Sequence, residues 1–243
     1  MSYWRARIGS ISPSVCDAFH HDFYCIAPSR VLLVGVSCMI HGWRDEEYET
    51  GLAKVDECVR ELSRREVQFI HHGGVPLVIA KGKGFEKELI ERMEKIGKVP
   101  ASTSVVSLMD ALRHLGIKKL VVVDPYPDEL HSKFIKYLEA FNFEVVHSAC
   151  MRMPFYEVHK ANMADVYNFA KETFAGAPGA DGLCFACPQY PMIDAVERLE
   201  KEIGRSVVTP TLAYTWTCLR AVGVTDPKPG FGSLIESLRE HRR

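Results

Sequence analysis

Lys119-Leu-Val-Val-Val-Asp-Pro-Tyr-Pro127, followed by the helix-patterned residues 129–141 and then Phe143-Glu-Val-Val146, is the stretch on which the fold turns. Its first half is a continuous β-branched run ended by two prolines, the pattern of a strand buried on both faces rather than one alternating between core and water. A helix-length segment before the next apolar run is what a parallel pair requires, since antiparallel strands need only a hairpin. The unit is therefore strand, polar turn, helix, strand.

The same unit recurs in both directions. Upstream, Ser102 or Ser104 can cap a helix running through Leu108, Leu112 and Leu115 and stopped by Gly116. Before it come a helix over 85–97, a strand Val67-Gln-Phe-Ile70 and the loop His71-His-Gly-Gly-Val-Pro76. Leu52, Val55, Cys58, Val59 and Leu62 mark one amphipathic helix over 46–65. Residues 5–11 and Arg30-Val-Leu-Leu-Val-Gly-Val36 read as two inner strands. Downstream, a helix over 161–173, a strand Gly182-Leu-Cys-Phe-Ala186, a helix over 192–203, a strand Ser206-Val-Val-Thr209 and helices over 212–222 and 231–240 complete the chain. The rhythm predicts an α/β fold of two similar lobes with largely parallel sheets, 1–110 and 111–214, with 215–243 packing back on the first. Strand-end loops of both lobes should then face one interdomain cleft.

With 30 Lys plus Arg against 31 Asp plus Glu in 243 residues, there is no electrostatic mandate for nucleic acid or an anionic membrane. Neither a positive N-terminal segment leading into an apolar core nor a run of about eighteen apolar residues is present, which predicts a soluble, cytoplasmic protein. The eight cysteines are scattered. Cys184 and Cys187 are the close pair, but no second pair completes a zinc knuckle, so no metal is expected. Lys81-Gly-Lys-Gly84 lacks both the Walker and the dinucleotide pattern, so no nucleotide is expected either. Amphipathic helices leave a homo-oligomer open.

Cys187 follows directly on an apolar strand, where a rigid edge can present a thiol to a cleft, while Cys184 belongs inside that strand. Tyr126, held between Pro125 and Pro127, occupies the analogous end of another strand and can donate a hydrogen bond to a carboxylate; Tyr48 can do the same from a helix start. Gly73-Gly74 permits a tight turn rich in peptide N–H groups, although Pro76 contributes none. Of His71 and His72, which should face opposite sides, one is expected to reach the cleft.

At these strand ends the chain resembles the Asp/Glu racemase superfamily, in the branch of the maleate isomerases and arylmalonate decarboxylase. Arg7-Ile-Gly-Ser-Ile-Ser-Pro-Ser14 resembles the first substrate loop, Tyr48 the tyrosine before the long helix, and Asp124-Pro-Tyr126 the central carboxylate-binding loop. Asp181-Gly-Leu-Cys-Phe-Ala-Cys187 resembles the strand presenting the second-half cysteine, and Val207-Val-Thr-Pro-Thr-Leu-Ala-Tyr-Thr-Trp216 the next strand and helix. The first-half cysteine position of the racemases and maleate isomerases is matched by Gly74, the asymmetry that arylmalonate decarboxylase has. The decarboxylase's hydroxyl residues beside that glycine are matched by Val75 and Pro76, its glycines after the second cysteine by Pro188 and Gln189, and the maleate isomerases' first-loop asparagine by Cys16.

The resemblance implies a cofactor-independent enzyme on a small carboxylic acid, with Cys187 and Tyr126 catalytic and Ser14, Cys16, Tyr48, Gly74, Val75, Tyr126 and Pro188 around the substrate. Decarboxylation of a substituted malonate, with Cys187 protonating the enediolate, is the first expectation. The alternative is a cis–trans isomerase or an amino- or hydroxy-acid racemase in which Cys16, His71 or His72 replaces the missing partner. A small-carboxylate binding protein is the non-enzymatic alternative.

Overall fold

The computed structural model describes residues 3–14 and 17–240. Among them, β1 (Ala6–Ser12), β2 (Val31–Ser37), β3 (Phe69–His72) and β4 (Ala101–Thr103) form one sheet in the order β2-β1-β3-β4. A second sheet contains β5 (Lys119–Asp124), β6 (Glu144–Cys150), β7 (Gly182–Phe185) and β8 (Ser206–Val208) in the order β6-β5-β7-β8. Every pairing is parallel. The architecture is two-lobed α/β, as the strand-and-helix rhythm implies.

Burial explains the central strands. Leu120, Val121, Val122 and Val123 of β5 are fully covered, as are Ile8 and Ile11 of β1. β2 corrects the expectation of an inner strand, because it lies at the sheet edge. In a sheet covered on both faces an edge strand is nearly as apolar as a central one, so composition does not separate them. The helix over 46–65 is two helices, Asp45–Ala53 and Val55–Arg64, parted at Lys54, whose ammonium donates to the Cys38 carbonyl at 2.9 Å.

The repeat sets up the site. Because both sheets have the same order, β3 corresponds to β7 and β1 to β5. Gly74 and Cys187 each stand two residues beyond the end of their strand, and so do Ser14 and Tyr126, each preceded by a proline. Helix Pro210–Ala221 packs against Ser104–His114, Asp17–Ile26 and β3 in the first lobe; helix Ser233–Glu240 packs on Pro210–Ala221 and on β8. Ser104–His114 and Pro210–Ala221 begin alike. The Thr103 hydroxyl accepts from the Val106 N–H at 3.4 Å, and the Thr209 hydroxyl from the Leu212 N–H at 3.1 Å. No helix among the described residues is long and apolar enough to cross a membrane.

Candidate active site

Gly74 and Cys187 face one narrow cleft between the lobes, with Ser14, Val75, Tyr126 and Pro188 also in its walls. The cleft holds about 40 Å³, and Ile40, Trp43, Leu77 and Phe155 make most of the remaining lining apolar. Cys16 lies outside the described residues. Cys187 is 5% exposed, and among the described residues it is the only cysteine lining this cleft. Cys184 is wholly buried inside β7, where burial pushes its thiol well up.

Gly74 cannot be regarded as a simple vacancy for a side chain. Its φ is +94°, and a Cβ there would stand 3.0 Å from Leu77 Cδ1 and 3.1 Å from Pro13 Cβ. A side chain here would be strained by the backbone and would press on both neighbours, and the short helix Val75–Ile79 starts directly after it.

Tyr126 lines the cleft, but its hydroxyl donates to the Ala186 carbonyl at 2.8 Å, on the peptide leading into Cys187. Burial pushes this phenol far up, followed by the influence of Cys187, Asp124, Tyr48 and Tyr190, so it stays protonated. Tyr48 is buried with no hydrogen-bond partner for its hydroxyl, and burial likewise raises it, helped by Asp45 and Glu129. It lines a neighbouring, roomier cavity of about 270 Å³ that also contains Trp43, Arg44, Glu129 and Lys133. That cavity is larger than the cleft at Cys187, yet no cysteine is among the described residues that line it.

His71 and His72 correct the expectation that one of them reaches the cleft. β3 runs through both, the turn begins only at Gly73, and both are fully buried. His71 Nε2 lies 2.9 Å from the Ser107 hydroxyl and its ring packs 3.9 Å from that of Tyr214. Burial lowers His71 well below the usual imidazole range and His72 to about 4, so both are neutral core residues.

Two features were not read from the sequence. The first is a hydrogen-bonded chain behind the Tyr126 turn. Asp124 Oδ1 accepts the Tyr126 N–H at 2.9 Å, Asp124 Oδ2 meets His131 Nδ1 at 2.5 Å, and His131 Nε2 meets the Ser148 hydroxyl at 3.0 Å. Burial raises the Asp124 carboxyl, with His131 opposing. Together with Cys150 these are metal-ligand types within 4.8 Å of one another. The 2.5 Å contact is nevertheless a hydrogen bond, since two ligands on one tetrahedral zinc stand roughly 3.3 Å apart. An Asp seven residues before a His and at the end of a strand was the available signal.

The second is an aromatic roof joining the lobes. The Trp43 ring packs on Tyr126 at 5.1 Å and Phe155 at 4.6 Å, and its N–H donates to the Met153 carbonyl at 3.2 Å. Beside it, His41 Nδ1 lies 2.6 Å from the Tyr156 hydroxyl. Residues in loops, or in a single short 3₁₀ helix such as Phe155–Lys160, carry no periodic signal in a sequence.

Comparison with known proteins agrees with this geometry. The chain is 25% identical to the maleate isomerase of Pseudomonas putida over 251 residues, covering 94% of this chain and 96% of that one. It is 23% identical to the arylmalonate decarboxylase of Bordetella bronchiseptica over 195 residues, covering 79% and 80%. The crystal structure of the maleate isomerase from Pseudomonas putida S16 superposes with a TM-score of 0.89 at 22% identity, over 96% of this chain and 99% of that one. A liganded arylmalonate decarboxylase variant, with one glycine changed to cysteine and one cysteine to serine, superposes with a TM-score of 0.90 at 20% identity, over 96% and 99%. The family model described as arylmalonate decarboxylase matches residues 34–235. The chain therefore belongs to the arylmalonate decarboxylase family, in the maleate isomerase and arylmalonate decarboxylase branch of the Asp/Glu racemase superfamily.

Proposed function

We propose that the protein is a cofactor-independent enzyme acting on a small carboxylic acid, with the Cys187 thiol as the group that exchanges a proton with the substrate carbon. The observation that carries this reading is the pairing of Cys187 with Gly74 across one cleft, a thiol on one wall and no side chain on the other. Two-thiol racemisation, in which one sulfur removes a proton and the other returns one, has no second sulfur among the described residues of the cleft.

The chemistry this favours is decarboxylation. A carboxylate pressed against Ile40, Trp43, Leu77 and Phe155 is poorly solvated, and release of neutral carbon dioxide relieves that cost. The electron pair left behind delocalises into the retained carboxylate as an enediolate, and the Cys187 S–H proton closes the new C–H bond. Tyr126 supports the thiol's loop by holding the Ala186 carbonyl, and the unpartnered Tyr48 hydroxyl is a donor in the neighbouring cavity, which shares Trp43 with the cleft. Ser14, Val75 and Pro188 shape the substrate's surroundings. The glycine and cysteine exchanged in the liganded decarboxylase variant support the idea that such a pair matters in this family.

A second reading is favoured by the relatives more than by the cleft. Maleate isomerases match over nearly their whole length, which supports cis–trans isomerisation, with Cys187 adding to or protonating the double bond. One assay separates the two. Phenylmalonate, methylmalonate, maleate and a set of amino and hydroxy acids are incubated with the protein, and carbon dioxide release is followed separately from geometric or stereochemical exchange. Carbon dioxide from a malonate is expected; fumarate from maleate without carbon dioxide would establish the second reading, and no turnover of any of them would favour a binding protein.

A further inference from the structure

Cys187 has two sides. One faces the cleft, and the other closes a small cavity whose walls include Asp22, Tyr190, Thr209 and Thr211. That cavity holds about 10 Å³, room for a single water, and its walls offer enough polar groups to bind one. The Tyr190 hydroxyl is buried there without a hydrogen-bond partner. Asp22 is 4% exposed, and its Oδ1 lies 3.1 Å from Nδ1 of His21, a side chain that is 70% exposed. A buried carboxyl thus stands between solvent and the rear of the thiol.

We infer that Asp22 reprotonates Cys187 from behind, through one water in this cavity, with His21 as its outlet to solvent. The inference rests on the proposed role of Cys187 as proton donor. When the thiol protonates the substrate carbon, its S–H bond breaks and a thiolate remains. The cavity water passes a proton to sulfur while taking one from the Asp22 carboxyl, and a solvent proton entering through the His21 imidazole restores Asp22. The balance is one solvent proton consumed for each carbon dioxide released, with no redox change. Burial, with Asp194 adding to it and His21 opposing, raises Asp22 to about 6, which keeps a protonated fraction available near neutrality; Cys25 also lies beside it, and Tyr190 shares its cavity. On the cleft side the Tyr126 hydroxyl is committed to the Ala186 carbonyl, and no carboxyl is among the described residues of the lining.

The test compares Asp22→Asn, Cys187→Ala and the unmodified chain, with phenylmalonate and maleate as probes. In Asp22→Asn the first turnover, measured by rapid quench, is expected to keep its rate within about threefold. Steady-state turnover is expected to fall at least tenfold and to recover in proportion to added imidazole or formate. Equal slowing of both phases, slowing of neither, or no recovery with added acid would overturn the relay. Cys187→Ala is expected to lose the first turnover as well; if it does not, the reading beneath the relay fails and the relay falls with it. A second measurement needs no substrate. Asp22→Asn removes a buried negative charge behind the thiol, so alkylation of Cys187 by iodoacetamide at pH 8, read by peptide mass against Cys150, should quicken at least threefold. An unchanged rate would place Asp22 out of reach of Cys187 and end the proposal.

Discussion

At the scale of single residues, the thiol and the glycine opposite it make separable predictions. Cys187→Ala should fold normally and lose at least a hundredfold in turnover together with deuterium incorporation from heavy water. Cys184→Ala, three residues earlier in the core of β7, should keep the chemistry and lose about 1–2 kcal/mol of stability to the cavity it leaves. Near-normal turnover of folded Cys187→Ala, with loss in Cys184→Ala, would move the reactive role to the strand interior. Gly74→Cys tests the other wall. A side chain at φ +94°, pressed on Leu77 and Pro13, should cost about 1–3 kcal/mol in chemical denaturation, and an undiminished midpoint would show that the turn relaxes freely.

At the scale of elements, β3 carries a pH signature. His72 is neutral in the folded protein because its burial depresses it to about 4, whereas in the unfolded chain it titrates near 6.5. The unfolded state therefore binds the extra proton first. Stability is complete above about pH 6.5 and declines as pH falls toward 4, by on the order of 3 kcal/mol from this residue. Urea unfolding at pH 7 and pH 4.5 should show the decline, and a His72→Phe variant that declines equally would remove His72 as its source.

The strands β5 and β7 and the helix Phe85–Gly97 were legible because burial on both faces, or on one helical stripe, imposes a composition that survives in the sequence. Other elements leave weaker marks. Asp17–Ile26 carries Phe19, Phe23 and Ile26 at helical spacing, but its ten residues lie in the sequence between Ser12-Pro13-Ser14 and Pro28-Ser29, too close for the period to stand out. β4 is three residues long, too short for any period to register. Within the site, the placement of Cys187, Gly74 and Tyr126 beside one cleft follows from strand ends, which a sequence marks with prolines and glycines. The partner of the Tyr126 hydroxyl, the burial of His71 and His72 and the His131 contact depend on which residues tertiary packing brings together, and no local pattern encodes that.

At the scale of the whole molecule, the cleft is too small for its proposed substrates as it stands. About 40 Å³ accommodates a few waters, so a malonate enters only if the lobes part or the Trp43–Phe155 roof swings aside. Binding of phenylmalonate should therefore change the emission of Trp43, and Trp43→Phe should abolish the change while Trp4 and Trp216 remain. A signal that persists in Trp43→Phe would locate the motion elsewhere. Turnover is expected to survive exhaustive dialysis against a chelator without added metal or organic cofactor; loss restored by one equivalent of a metal would bring the Asp124, His131 and Cys150 cluster into the reaction.

The repeated sheets give the two lobes matching frames, but Gly74 and Cys187 equip them unequally. A flat enediolate bearing two different substituents, held between these walls, presents one prochiral face to sulfur and the other to the turn packed on Leu77 and Pro13. Proton delivery from one side only would make such a product a single enantiomer, its handedness set by which substituent the aromatic roof accepts.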